Sequence, residues 1–310
     1  MALSSRRQFV QMLSVSGLGT LWLKNKPSPL AENQFPISCS SYNWTTFFKR
    51  QGLKWGENPE FDIAEFAKSG IKALEQSFES PEHVESLMPY LEQYEISMPS
   101  AYVNSILHEP DKADGSIEEI LKIAKALKDA NTKILVTNPT PIAWGKQIAK
   151  TDAQIRLQTE NLNLLGSELR NMGIQLAYHT HDSEMAAGAT EFHHVLQNTD
   201  PQFVWFCLDA HWIYRGCNDS HLAVFDAIKM YGDRIAELHI RQSEKGTWTE
   251  TFGKGDIDYS LMASIFKEKK IRPHLVIEQC IEQATPHTMD SVAAHMEDLK
   301  NVEKTFHDIL

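Results

Sequence analysis

The chain has 310 residues, 42% of them hydrophobic and 23% charged, an ordinary globular composition with enough length for a large core. Lysine and arginine total 30 against 41 aspartates and glutamates, a formal charge of −11. That balance argues against a nucleic-acid partner, whose phosphates call for a basic face, and no dense Lys/Arg cluster offsets it.

Residues 1–31 read as an export signal. Ser5, Arg6, Arg7, Phe9 and Val10 in "SSRRQFVQMLSVSGLGTLWL" resemble the Ser-Arg-Arg-x-Phe-apolar pattern of twin-arginine signals. The apolar part, Val10 to Leu23, is too short and too rich in Gly and Ser for a good membrane span, and no later segment reaches span length. The expectation is a mature domain at 32–310, exported to the periplasm without a membrane span. A membrane-anchored or cytoplasmic protein is the alternative.

From Phe35 onward short apolar runs alternate with longer amphipathic ones. Strands are expected at 35–43, 71–78, 96–103, 133–139, 174–181, 203–211, 235–241 and 274–280. Helical segments lie between them, among them 62–70, 117–130 and 152–173. In the last, Ile155, Leu162, Leu165, Leu169 and Met172 recur at helical spacing, and Gly70 and Gly173 stand where helix C-caps belong. Eight strand–helix units over roughly 275 residues is the arithmetic of a single (β/α)8 TIM barrel of the α/β class. An open doubly wound sheet usually carries a glycine-rich loop after its first strand, and "SYNWTTFFKRQGLKWG" is not one. Cys39, Cys207, Cys217 and Cys280 form no CxxC pair, so they read as buried small residues rather than a zinc site.

Polar residues gather at the C-terminal ends of these strands: Glu75, His179 and His181, Asp209 and His211, His239 and Arg241, and Glu278. In a barrel those ends converge on the face that carries active sites. Residues two apart share a side of a strand, so each of the three pairs can point inward together. A lone strand-end histidine is more often structural than a ligand. The run His, Asp, His, Glu on four successive strands is what points to an ion. Two imidazoles and two carboxylates suit one divalent cation, Mn²⁺ first, with Co²⁺, Mg²⁺ or Zn²⁺ as alternatives. Trp212, Trp144, Tyr42 and Trp44 fall near the same ends, where aromatic rings stack on sugars or simply pack the core. His193 and His194 read as surface residues of a helix.

The segments "AYHTHDSEM", "CLDAHWIYRG", "YGDRIAELHIRQ", "TETFGKGDID" and "LVIEQC" resemble the xylose isomerase-like superfamily, in particular its sugar phosphate isomerase/epimerase family, over about residues 35–305. The resemblance implies His179, Asp209, His239 and Glu278 as metal ligands. Family epimerases often have glutamate where this chain has His179, and His-x-Lys-Asp here reads His239-Ile240-Arg241-Gln242.

What this implies is a metal-dependent enzyme that forms an enediolate from a sugar. Glu278 or His181 would take the proton beside the carbonyl, with Arg241 stabilising the oxyanion. Glu75, His211 and Trp212 are expected at the substrate. Isomerisation or epimerisation is the first expectation. The alternative is a lyase or dehydratase acting on a keto-sugar or 3-keto-glycoside, which His179 favours; a non-catalytic sugar-binding barrel comes after it. A relative of the abasic-site endonucleases is set aside on charge. An exported enzyme without a glycine-rich phosphate cradle is expected to take an unphosphorylated sugar.

Overall fold

The computed structural model describes residues 35–310; the expected export signal lies outside the described residues. The eight strands are β1 (Ser38–Ser40), β2 (Ala73–Ser77), β3 (Ser100–Ser105), β4 (Ile134–Pro139), β5 (Gln175–Tyr178), β6 (Val204–Asp209), β7 (Ile235–Ile240) and β8 (His274–Ile277). They close into one barrel in the order β1-β8-β7-β6-β5-β4-β3-β2, and every neighbouring pair is parallel. The expected (β/α)8 TIM barrel is the fold observed.

The helices that return the chain between strands are α1 (Ser41–Arg50), α2 (Pro59–Lys68), α3 (Pro81–Gln93), α4 (Ala113–Asp129), α5 (Asp152–Asn171) and α6 (Ala186–Asn198). They continue with α7 (Ala210–Gly216), α8 (His221–Tyr231), α9 (Tyr259–Lys269) and α10 (Ser291–Phe306). Helix α5 begins with a capping box, in which Thr151 and Gln154 serve each other's backbone N–H groups. It buries Ile155, Leu162, Leu165 and Leu169, the face its sequence spacing marks out. Gly70 and Gly173 follow α2 and α5 with φ of +79°, the left-handed turn that ends a helix cheaply only at glycine.

Several element boundaries differ from those the apolar runs suggest. The first strand ends at Ser40, whose hydroxyl accepts from Tyr42 N at 3.3 Å and starts α1, so Tyr42 and Asn43 are helical. The third starts at Ser100, just past Pro99, with Ser97 joined to Ala73 only by an isolated bridge. The sixth ends at Asp209, which caps α7, so His211 sits on a helix and not beside Asp209 on one strand face. Trp44 belongs to the core: it is fully buried and packs on Phe48, Trp55, Phe66 and His295. His193 is half-buried, with Nδ1 2.7 Å from the Tyr231 hydroxyl.

All four cysteines are free, and Cys217 is half-buried while the other three are buried. Among the described residues no helix is long and apolar enough to cross a membrane.

Candidate metal centre

Strand register places the four suspected ligands at one level. In the β6–β7 pairing Phe206 sits opposite Ile235 and Cys207 opposite Glu237, so the ladder skips Ala236. This bulge brings Asp209 opposite His239, and the β7–β8 register sets His239 against Val276, two residues before Glu278. The ladders run on past the strands: His179 N donates to Thr137 O at 2.9 Å, and Glu278 N to Ile240 O at 2.9 Å.

His179, Asp209, His239 and Glu278 each offer one nitrogen or oxygen, and these atoms all lie within 4.8 Å of one another. Asp209 is fully buried, His179 and His239 are 1% exposed, and Glu278 is 8% exposed. Asp209 Oδ1 accepts from Trp212 N at 2.9 Å and caps α7. Its Oδ2 lies 3.6 Å from His179 Nε2, and both atoms are buried without a hydrogen-bond partner. A buried carboxylate oxygen or imidazole nitrogen left this way costs roughly 1–3 kcal/mol or more. The donor set of two imidazoles and two carboxylates supplies what a divalent cation needs, so these residues fit one.

Positive charge already leans on the carboxylates. Burial pushes Glu278 up, but Arg241 and then His239 outweigh it and hold its carboxyl well below the usual carboxylate range. Arg241 NH2 is 2.7 Å from Glu278 Oε2, and its Nε donates to Glu278 O at 3.0 Å. The guanidinium is fully buried, with its carbon 4.5 Å from the Trp248 ring centre and 5.0 Å from that of Trp212. Its NH1 has no hydrogen-bond partner.

The other residues singled out from sequence fall in three places. His181 lies beside the cluster, its ring 4.9 Å from His179, 5.2 Å from Trp212 and 5.5 Å from Trp144. Burial and the neighbouring His179 push His181 well below the ordinary histidine value. His211 is buried on the first turn of α7 with neither ring nitrogen paired, and burial and Arg241 push it down to about 3. Trp212 packs against Trp248 at 5.8 Å, while Trp144 is 57% exposed and Tyr42 49% exposed. Glu75 lies deeper, at 1% exposure, with Oε2 3.2 Å from His239 Nε2.

Three contributors escape the strand-end search. Glu237 is fully buried, with Oε1 3.0 Å from His239 Nε2; the signal was a carboxylate inside "IAELHIR", two before the histidine. Trp248 comes from a two-stranded ribbon, Ser243–Glu244 with Thr247–Trp248, that the apolar pattern does not mark. Glu184 reaches back from the turn after β5 to accept from His181 N at 2.6 Å, fixing that histidine's backbone.

A family profile described as "Xylose isomerase-like TIM barrel" matches residues 63–301. An inosose dehydratase of Clostridium perfringens strain 13 is 24% identical over 245 residues, 70% of this chain and 80% of the relative. An inosose dehydratase of Geobacillus kaustophilus is 23% identical over 220 residues, 67% of this chain and 70% of the relative. Among solved structures, an L-ribulose 3-epimerase superposes with a TM-score of 0.69 at 14% identity, covering 88% of this chain and 94% of the other. A 3-keto-D-glucoside 4-epimerase from E. coli gives 0.65 at 13% identity, covering 87% and 100%. These structural likenesses are likenesses of fold.

Proposed function

The chain belongs to the xylose isomerase-like TIM barrel family, and from that membership and the site's geometry we propose a divalent-metal-dependent enzyme that removes the proton beside the carbonyl of an unphosphorylated keto-sugar or keto-polyol. The observation that carries it is the buried, mutually facing set His179, Asp209, His239 and Glu278 at the C-terminal mouth. Those four residues would hold the ion, with Mn²⁺ as the first candidate. When bound there, it would supply Lewis acidity to the substrate's carbonyl.

The chain's own groups do the proton work. Glu278 stands just after β8 and His181 just after β5, three strands apart round the barrel, so they reach a substrate from different sides. Glu278 takes the proton from the carbon beside the carbonyl. Arg241, with its free NH1, sits where negative charge collects on the enediolate oxygen. Glu278 then gives that proton to the oxygen that leaves the next carbon, to which the neutral His181 donates an N–H hydrogen bond. One C–H and one C–O bond break, a C=C bond forms, and water or an alcohol departs. Trp212 and Trp248 wall the site and hold the guanidinium in place.

Two considerations support elimination as the outcome. His179 stands where two-carboxylate epimerases often have glutamate, so the first and last ligand positions here carry an imidazole and a carboxylate and not a pair of proton-transferring carboxylates. The curated relatives named above are dehydratases. A second reading, epimerisation or isomerisation, has its own support: a water proton delivered on the His181 side, to the other face of the same carbon, inverts it.

The test is incubation of the Mn²⁺-loaded chain with a 3-keto-glycoside and an inosose in D₂O. Deuterium should enter beside the carbonyl, and aglycone or water should be lost; exchange with an inverted product and no loss selects the second reading. No exchange with any ketone, in a chain carrying one ion, removes both.

A further inference from the structure

His239 presents carboxylates with a partner on both sides of its ring. Nδ1 lies 3.1 Å from Glu278 Oε2 at the mouth. Nε2 faces the barrel interior, 3.0 Å from Glu237 Oε1 and 3.2 Å from Glu75 Oε2. Both glutamates are buried, at 0% and 1% exposure. Glu75 Oε2 also accepts from Ser100 Oγ at 3.1 Å, while Glu75 Oε1 and Glu237 Oε2 have no partner.

Two buried glutamates meeting on one nitrogen are a costly arrangement, because each carboxyl gives up its hydration. A bare lone pair on Nε2 would repel any ionised carboxylate oxygen facing it. An N–H there attracts both and satisfies at least one. A histidine that gives one ring nitrogen to a metal characteristically donates its other N–H to a carboxylate or carbonyl, which fixes the ring and its tautomer. Here that role falls to two strands at once: Glu237 comes from β7, two residues before His239, and Glu75 from β2 across the barrel.

We infer that Glu75 and Glu237 are positioning residues that keep a proton on Nε2 of His239, so that Nδ1 alone is open to an ion. The inference rests on the metal reading above and deepens it. It also assigns the neighbouring cluster of Cys207, Glu237 and His239, whose ligating atoms lie within 4.8 Å of one another. Cys207 Sγ is 3.8 Å from Glu237 Oε1. A second ion there would need Nε2 stripped of its proton; a proton held on Nε2 makes the cluster a scaffold, and the chain binds one ion.

The experiment uses the full chain, labelled with ¹⁵N-histidine, by NMR without metal and with Mg²⁺ or Zn²⁺. Calorimetry gives Mn²⁺ affinity and stoichiometry for the wild type, Glu75→Gln and Glu237→Gln. A proton on His239 Nε2 in both states is expected, with one ion per chain and a loss of affinity on the order of 10- to 100-fold in each variant. The metal-free variants should melt no lower than the wild type, which separates a positioning role from a merely structural one. An unprotonated Nε2, unchanged affinity in both variants, or two ions per chain would overturn the inference. A wild type that binds no ion would instead end the metal reading, and the Nε2 proton of the metal-free chain would still decide this one.

Discussion

Asp209 Oδ2 and His179 Nε2 face each other at 3.6 Å, both buried and without a hydrogen bond, and Arg241 NH2 lies 3.7 Å from the same Oδ2, while the other oxygen of that carboxylate caps α7 through Trp212 N. The two duties can be separated. Asp209→Asn keeps the capping oxygen and replaces the other with an NH₂ that cannot ligate. It should fold normally and lose at least about 10-fold in divalent-ion affinity, whereas Asp209→Ala should also lose about 1 kcal/mol of stability with the cap. Equal metal affinity of the Asn variant and wild type, by calorimetry, would take Asp209 out of the site.

Glu278→Gln should abolish turnover and proton exchange, since the amide neither accepts the proton nor ligates well. Retention of the full exchange rate would rule out its assigned role.

Arg241 lies between Trp212 and Trp248 and touches Glu278 with a planar guanidinium. Lysine keeps the charge but has neither the plane nor the five donors. Arg241→Lys should lower kcat by about 10- to 100-fold, less than the roughly 100- to 1,000-fold of a fully lost donor to developing charge because the charge is kept, with little change in KM. A kcat within a factor of two of wild type would mean that charge alone suffices there.

Trp144 is 57% exposed yet touches the His181 ring edge-on at 5.5 Å, so it borders the mouth without supporting the core. Trp144→Ala should leave the melting temperature unchanged and raise KM more for a glycoside than for the free sugar. A drop in melting temperature with unchanged KM would show packing instead.

Asp298 on α10 offers a pH test far from the ion. It is fully buried; Oδ1 accepts from Phe252 N at 2.6 Å and Oδ2 has no partner. Burial raises its carboxyl well above the usual 3.8, against the pull of the Phe252 N–H. The unfolded chain therefore releases this proton near 3.8 while the folded chain keeps it, so its contribution to stability falls as pH rises above that value. Asn cannot titrate. Between pH 5 and 8 the stability of Asp298→Asn relative to wild type should improve by about 1–3 kcal/mol in urea unfolding. Parallel pH profiles for the two proteins would contradict the assignment.

The barrel was legible because period-two and period-3.6 patterns alternate cleanly, and because helix-ending glycines fall just before strands. The strand ends were less so. Ser40 and Asp209 both look like strand residues and act as helix caps, and an apolar count cannot see a side chain turning to serve the next N–H. Four separated residues were readable as one cluster because a barrel forces strand ends together. Glu237 was not, because its meaning depends on the bulge at Ala236, which no single-strand pattern encodes. Trp44 was ambiguous for a simpler reason: an aromatic near a strand end says nothing about which way α1 turns it.

Strands β1 and β8 meet through only Ser38 with Val276 and Cys39 with Ile277, residues separated by nearly the whole described chain. During synthesis the first strand must wait with an open edge until the last emerges from the ribosome. Glu278 follows β8 directly, so the carboxylate that completes the ligand set arrives with the strand that shuts the ring. An unfinished chain therefore carries His179, Asp209 and His239 but lacks their fourth companion, and competence comes only with the final stitch.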